Sequence, residues 1–382
     1  MPLGCRGWVS QNGTGRMFHE RGWRAARCLM RENPIGERAE ASTEKGGGAA
    51  VSTATLDLLE CAPRQRPLLD EVLDGLGGTE KSLPAKLHYD QRGSLLFEQI
   101  CSLDEYYITR TELGIMERTA ADVADALGDG CMLIEPGSGA SLKTDLLLRA
   151  MAAPAAYVPV DISRDFLLEA AAAIAARHEV EVLPVWADFT RRHPLPTPAA
   201  AINSRAIYFP GSTVGNFSRP EAGRLLELFA ELLRESQTEQ EEQVPAGSVV
   251  VGFDCKKEIP RMEAAYNDAE GVTAEFNYNV LDRLSRELGA DFDRDRFDFR
   301  ADWDEEVGAI VSRLWAKQTH AIDIAGSTVQ FEAGEPIRME ESHKYTPAEF
   351  EQLAEAAGLG LQKFWSDDSR DFAVVQLRPL GC

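Results

Sequence analysis

Three segments, each closing a short apolar run, are where chemistry is first legible in this chain. The run CMLIEP (131–136) leads through Glu135 into Gly137-Ser138-Gly139, the run AYVPVD (156–161) ends in Asp161, and VEVLPVW (180–186) is followed by Asp188 and Phe189. Gly137 and Gly139 permit a tight turn and let a ligand come close to the backbone. Asp161 follows Glu135 at the separation where a carboxylate meets ribose hydroxyls in nucleotide-binding sheets, and it would repel a 2′-phosphate. Asp188 offers an acceptor for an adenine amine, with Phe189 packing on the ring. The segment GSGASL has Leu142 where GxGxxG needs its third glycine, so a pyrophosphate cradle is incomplete and S-adenosyl-L-methionine fits better than a dinucleotide. Taken singly, a strand-end aspartate is commonly a helix cap; it is the order of these residues along one sheet that points to a cofactor.

The elements that must hold them follow from hydrophobic period. CMLIEP, AYVPVD, VEVLPVW, AIYFPG (206–211) and SVVVGFD (248–254) alternate with helical segments. Continuous apolar strands between helices indicate a parallel sheet covered on both faces. Ser218-Arg219-Pro220-Glu221 has the capping-box pattern ahead of Leu225, Leu226, Phe229 and Leu232. Asp161 and Ser163 precede the stripe Phe166, Leu167, Ala170 and Ile174, and 237–247 reads as a polar loop. The rhythm breaks over about 260–340, which contains an amphipathic stretch (Val272–Leu288) and a strand pair at His320–Ile324 and 328–332. Thr346 to Glu349 then caps a helix ending at Gly358, and strands at 361–365 and 372–377 close the sheet. The expected fold is α/β, a doubly wound Rossmann-like methyltransferase sheet with an inserted α+β substrate-binding domain. Residues 1–55 are expected to be a disordered extension, 56–255 and 341–382 the cofactor domain, and 256–340 the insertion.

Bulk properties narrow the function classes. The net charge of −22 argues against nucleic acid and against an anionic membrane surface. The first fifty residues differ, with eight Lys/Arg against five Asp/Glu, and they carry no clear signal-peptide pattern. Seven scattered cysteines without a CxxC pair suit a reducing cytoplasm, and six histidines without an HxxxH or HExxH arrangement give no reason to expect a metal. No repeat or exposed apolar stripe demands a stable protein partner, so a monomer is the expected state.

Longer segments then carry a family resemblance. LPAKLHYDQRGSLLFEQICSLDEYYITRTE (83–112), EPGSGASLKTDLLL (135–148), YVPVDIS (157–163), FPGSTVGNF (209–217), GVTAEFNYNVLDRLSRELGADFD (271–293) and GEPIRMEESHKYT (334–346) together resemble the histidine Nα-methyltransferases of the ergothioneine pathway. The resemblance spans about residues 65–380. It implies S-adenosyl-L-methionine bound by Gly137, Gly139, Lys143, Asp161, Asp188 and Phe189. It further implies a free amino acid held at its carboxylate and amine by Tyr106, Asn216 and Tyr266, with Tyr89 near the amine being methylated. Glu340 and Ser342 are implied at the imidazole, and the product would be the trimethylated betaine hercynine.

The residue types suit that reaction. Transfer from a sulfonium needs no metal and no covalent intermediate; it needs an unprotonated amine held in line with the methyl carbon. Tyrosine hydroxyls and an asparagine amide fix a carboxylate without adding charge, and a carboxylate at the ring accepts an imidazole N–H. The chain departs from the family at Ile310 to Leu314, where Ser312 stands at a position usually held by methionine. PGSTVGN and EPGSGAS are smaller departures from LGSTxGN and ELGSGSS. Another aromatic amino acid, a histidine derivative or a non-catalytic cofactor-binding module are the alternative readings.

Overall fold

Apolar runs of six or seven residues between helices bury both faces only inside a covered sheet, and that is how the chain folds. The computed structural model describes residues 56–61, 66–139, 142–235 and 247–381. The expected extension 1–55 and nearly all of the loop 237–247 lie outside the described residues. In chain order the strands are β1 (Leu59–Glu60), β2 (Cys131–Pro136), β3 (Ala156–Asp161), β4 (Val185–Trp186), β5 (Ser204–Phe209), β6 (Ser248–Asp254), β7 (Phe297–Asp304), β8 (Ala309–Ala316), β9 (His320–Ile324), β10 (Ser327–Phe331), β11 (Pro336–His343), β12 (Leu359–Ser366) and β13 (Phe372–Pro379).

Eight of them form one sheet in the order β1-β4-β3-β2-β5-β6-β13-β12. The pairs from β1 to β6 are parallel, while β13 runs antiparallel to both β6 and β12. The chain therefore winds outward from β2 through β3 to β4, then returns to the other side of β2 as β5. That reversal leaves a crevice beyond the carboxyl ends of β2 and β5, the place where open α/β sheets take ligands.

Helices Tyr107–Leu127 and Leu142–Ala150 cover one face, where Ile115, Met116 and Val123 pack on Leu133, Tyr157 and Tyr208. On the other face, Leu226 and Phe229 of helix Arg219–Glu235 and Phe350 of helix Pro347–Ala356 pack on Ile134, Val158 and Phe253. Thr346 and Glu349 make the full reciprocal capping box. At Ser218 only half of the box forms: Glu221 accepts from the Ser218 N–H at 3.0 Å, and also from its hydroxyl at 2.6 Å, so that hydroxyl donates instead of capping.

The strand expected over 180–186 is regular only at Val185–Trp186. Pro184 has no N–H to give to a ladder, and upstream of it the pairing is reduced to a bridge between Tyr157 and Val182. Between β6 and β12 the insertion adds a three-stranded antiparallel sheet, β11-β8-β7, and the hairpin β9–β10. A third apolar cluster joins Val280, Leu281 and Leu284 of helix Val272–Leu288 to Leu314 and Ile337, and it also takes in Val72 and Leu76 of helix Leu68–Gly77. Residues 68–88 thus pack with the inserted elements. Strand β11 runs unbroken through the 340/341 boundary drawn from the sequence.

Candidate active site

At the carboxyl end of β2 the chain turns through Gly137 and Gly139 at φ +66° and +49°, the left-handed region where a side chain is strained. A Cβ on Gly137 would stand 3.3 Å from the ring of Phe189, so this turn and that ring are in close apposition. Phe189 is held edge-on by Phe209 and Phe217. Asp161 ends β3 and accepts the Ser163 N–H at 2.8 Å; burial raises its carboxyl above the usual range, leaving a partly dehydrated acceptor. Asp188 accepts from the N–H and hydroxyl of Thr190 at 3.0 and 2.6 Å and pairs with Arg191. A glycine turn, a carboxylate one strand over and an aromatic face beside them suit an adenosyl group.

Lys143 follows the turn, and its ammonium meets Glu112 at 2.5 Å beside Gly211. The buried Glu112 also accepts the Gly211 N–H at 2.9 Å, tying helix Tyr107–Leu127 to the loop after β5. A Cβ on Gly252 would run into the Glu112 carboxylate, so the acid reaches this place only because β6 carries glycine there. Next to it, Glu135 accepts from Thr144 at 2.7 Å and Tyr157 at 2.5 Å, and burial pushes its carboxyl up to about 7.

The second half of the site is aromatic. Tyr106 and Tyr266 pack edge to face with centroids 5.9 Å apart. Tyr89 packs edge-on against Phe97 and Phe276 at 5.8 and 5.7 Å, and Phe97 extends the group to Tyr106. Tyr89 keeps 42% of its surface open. Burial pushes that phenol well above its ordinary value, and the Glu340 carboxylate adds to the effect. Tyr106 is raised by burial first, then by Tyr266, with Tyr89 and Glu340 also within range. Burial raises Glu340 as well, while the neighbouring His88 and Lys344 act in the opposite direction. Tyr89, Tyr106, Tyr266 and Glu340 are thus brought together from four separate parts of the chain.

Asn216 and Glu340 line one cleft of about 480 Å³, bounded also by Ser82, Ala85 and Ser218. The loop carrying Asn216 comes so close to β11 that a Cβ on Gly215 would be 2.8 Å from the His343 carbonyl. Ser342 faces inward instead, where its hydroxyl is 2.8 Å from the Tyr266 hydroxyl.

Behind Tyr266 and Ser342 lies a buried cluster that the sequence reading missed. Asp254, at the end of β6, pairs with Lys344 at 2.8 Å and Lys257 at 2.5 Å, and accepts from the Tyr107 hydroxyl at 2.9 Å. Burial alone would raise its carboxyl, but the two lysines outweigh that and hold it below the usual range. The Asp254 N–H donates to Ser212, which sits at φ +57°. Two signals could have found these groups. Lys344 continues the alternation 340, 342, 344 along β11, and Glu112 occupies an apolar helical stripe between Ile108 and Ile115. Of the adjacent tyrosines, Tyr106 joins the aromatic group and Tyr107 joins Asp254.

Comparison with known proteins bears on this arrangement. A family profile described as histidine-specific methyltransferase, SAM-dependent, matches residues 68–379. A histidine N-alpha-methyltransferase from Mycolicibacterium smegmatis is 37% identical over 310 residues, which is 80% of this chain and 92% of that protein. Ergothioneine biosynthesis protein 1 of Neurospora crassa is 30% identical over 298 residues, 75% of this chain but 32% of the longer fungal protein. A 4-dimethylallyltryptophan N-methyltransferase from Aspergillus fumigatus is 28% identical over 81% of this chain and 93% of its own length.

Proposed function

This chain belongs to the histidine-specific, S-adenosylmethionine-dependent methyltransferase family, and from that premise we propose that it methylates the α-amino nitrogen of free L-histidine three times, giving hercynine for ergothioneine synthesis. The observation that carries the substrate assignment is the convergence of Glu340 with Tyr89, Tyr106 and Tyr266 around one site. It supports an acid at the ring end of the amino acid and hydroxyl donors at its polar end.

When bound, S-adenosylmethionine supplies an electrophilic methyl on a sulfonium. In this reading Gly137, Gly139, Lys143, Asp161, Asp188 and Phe189 hold the cofactor. Tyr106, Asn216 and Tyr266 fix the amino acid's carboxylate and amine, so that the nitrogen lone pair lies in line with the methyl. Tyr89 borders the amine, and its neutral phenol accepts an N–H while its ring faces the ammonium that develops. Glu340 and Ser342 orient the imidazole. Residues 56–255 and 341–382 furnish the cofactor side together with Tyr89, Tyr106, Asn216 and Ser342, and the insertion 256–340 adds Tyr266 and Glu340 to the substrate side. The enzyme is taken to be a cytoplasmic monomer, and its net charge of −22 speaks against nucleic-acid and anionic-membrane partners.

A second reading, an N-methyltransferase of a larger aromatic amino acid, draws on one feature: the small Ser312 lies directly across from Glu340. Incubating the purified protein with S-adenosylmethionine and all twenty amino acids, followed by mass spectrometry, separates the two. Trimethylated histidine alone is the expected product. Methylation of tryptophan or tyrosine instead would favour the second reading, and no product despite cofactor binding would favour a non-catalytic module.

A further inference from the structure

We propose that Lys344 is a positioning residue that makes the enzyme selective for a free carboxylate on its substrate, acting through Tyr266 and Ser342. The inference rests on the reading above, in which those two residues contact the amino acid.

The geometry is closed around one atom. An ammonium has three protons to donate. The Lys344 Nζ is 2.8 Å from the Tyr266 hydroxyl, 2.8 Å from the Ser342 hydroxyl and 2.8 Å from an Asp254 carboxylate oxygen. Lys344 is fully buried, so water takes none of those protons. Burial would favour the neutral amine, but Asp254 and then Tyr266 hold the ammonium in its charged form. The charge also lies 4.7 Å from the centroid of the Tyr266 ring.

This arrangement fixes hydroxyl directions that a phenol and a serine would otherwise choose freely. Both oxygens accept from Lys344, and they are 2.8 Å from each other, so one hydroxyl must donate to the other. A single hydroxyl proton remains for a ligand. If Ser342 donates to Tyr266, the phenol is left as the donor toward an anionic group. Ser342 then keeps one lone pair for an imidazole N–H. Lys344 thus occupies one lone pair on each oxygen, and in that arrangement Tyr266 is the donor and Ser342 the acceptor toward the ligand.

Charge points the same way. Asp254 carries one negative charge and directly contacts two cations, Lys257 and Lys344, so this contact cluster has one surplus positive charge, which the Glu340 carboxylate meets only at longer range. The neighbouring Arg261 and Asp371 pair with each other and do not cancel it. Tyr107 and Ser212, the other hydrogen-bonding partners of Asp254, are neutral. A buried surplus charge is costly unless an opposite charge meets it. The α-carboxylate of a free amino acid is a group of the right sign, delivered next to Tyr266.

The test compares L-histidine with L-histidinamide, which lacks the carboxylate, as methyl acceptors for the wild type and for Lys344→Met. Cofactor affinity is measured by calorimetry on the same preparations. The wild type is expected to prefer histidine in kcat/KM, and Lys344→Met to lose at least about tenfold of that preference, the scale of a charge-assisted hydrogen bond. Most of the loss is expected in the KM for histidine, with cofactor affinity held within about twofold. An unchanged preference in a variant that still binds cofactor overturns the proposal. So does weakened cofactor binding with the preference intact, since the charge would then serve the methyl donor. Should Lys344→Met fail to bind cofactor through misfolding, Lys344→Arg decides: retained preference supports the role of the charge, and lost preference overturns it. A wild type that methylates neither compound contradicts the histidine reading itself, which is a separate failure.

Discussion

Ser312 and Glu340 face each other across the antiparallel ladder of β8 and β11, and Ala301 of β7 flanks Ser312 on its other side. Cross-strand partners share one face of a sheet, so the wall beside the Glu340 carboxylate is built from two small side chains. Ser312→Met would fill that space. The variant is expected to keep histidine as substrate while its kcat/KM for tryptophan relative to histidine falls about tenfold, the usual scale for steric discrimination in an apolar pocket. Steady-state kinetics with both amino acids checks this, and an unaltered ratio would remove Ser312 from the pocket wall.

Glu340→Gln keeps size and one acceptor oxygen but removes the charge. We expect kcat/KM for histidine to drop by about 10- to 100-fold, the cost of losing a charged hydrogen-bond acceptor, with little change in cofactor affinity. Equal losses for every amino acid tested would mean that Glu340 acts on the fold and not on the imidazole.

Glu135 gives stability a pH dependence of known sign. Its carboxyl is raised from 4.5 to about 7 by burial, against the hydrogen bonds from Thr144 and Tyr157. The folded protein therefore binds this proton more tightly than the unfolded chain does. The associated stability is complete below about pH 4.5 and is lost as pH rises through about 7, an effect on the order of 3 kcal/mol. Denaturant titrations of wild type and Glu135→Gln are expected to show the wild type losing ground against the variant across that window. A difference that stays flat with pH would show that Glu135 is already ionised in the folded protein.

Gly252→Ala tests the seating of Glu112. The added methyl would meet the carboxylate that receives Lys143 and the Gly211 N–H. A loss of about 1–3 kcal/mol in unfolding free energy is expected, together with weaker cofactor binding because the glycine turn loses its support. Unchanged stability and affinity would indicate that Glu112 has room to move aside.

The placement of Gly137, Asp161 and Asp188 at one edge of the sheet was legible because they follow apolar strands, and strand ends can be read from hydrophobic runs. The elements of the insertion were harder. β7 carries charges on alternate positions, Asp298, Arg300 and Asp302, so only a period-two pattern marks it, and β8 interrupts its apolar run with Ser312 and Arg313; the sequence reading named neither strand. The proposed substrate residues were reached through the resemblance, since Tyr89, Tyr106 and Glu340 meet only in three dimensions. Lys344 and Asp254 stayed hidden because a buried ion pair looks, in sequence, like two ordinary surface charges. Their burial follows from β6 and β11 converging at the bridge between Cys255 and Tyr345.

The central claim is methyl transfer to the α-nitrogen of histidine. The most direct test is nuclear magnetic resonance of the product made from L-histidine and S-adenosylmethionine carrying a carbon-13 methyl. The account predicts label only on the α-nitrogen, ending as a single trimethylammonium resonance. Label on an imidazole nitrogen, or no label on histidine while another amino acid is methylated under the same conditions, would contradict it.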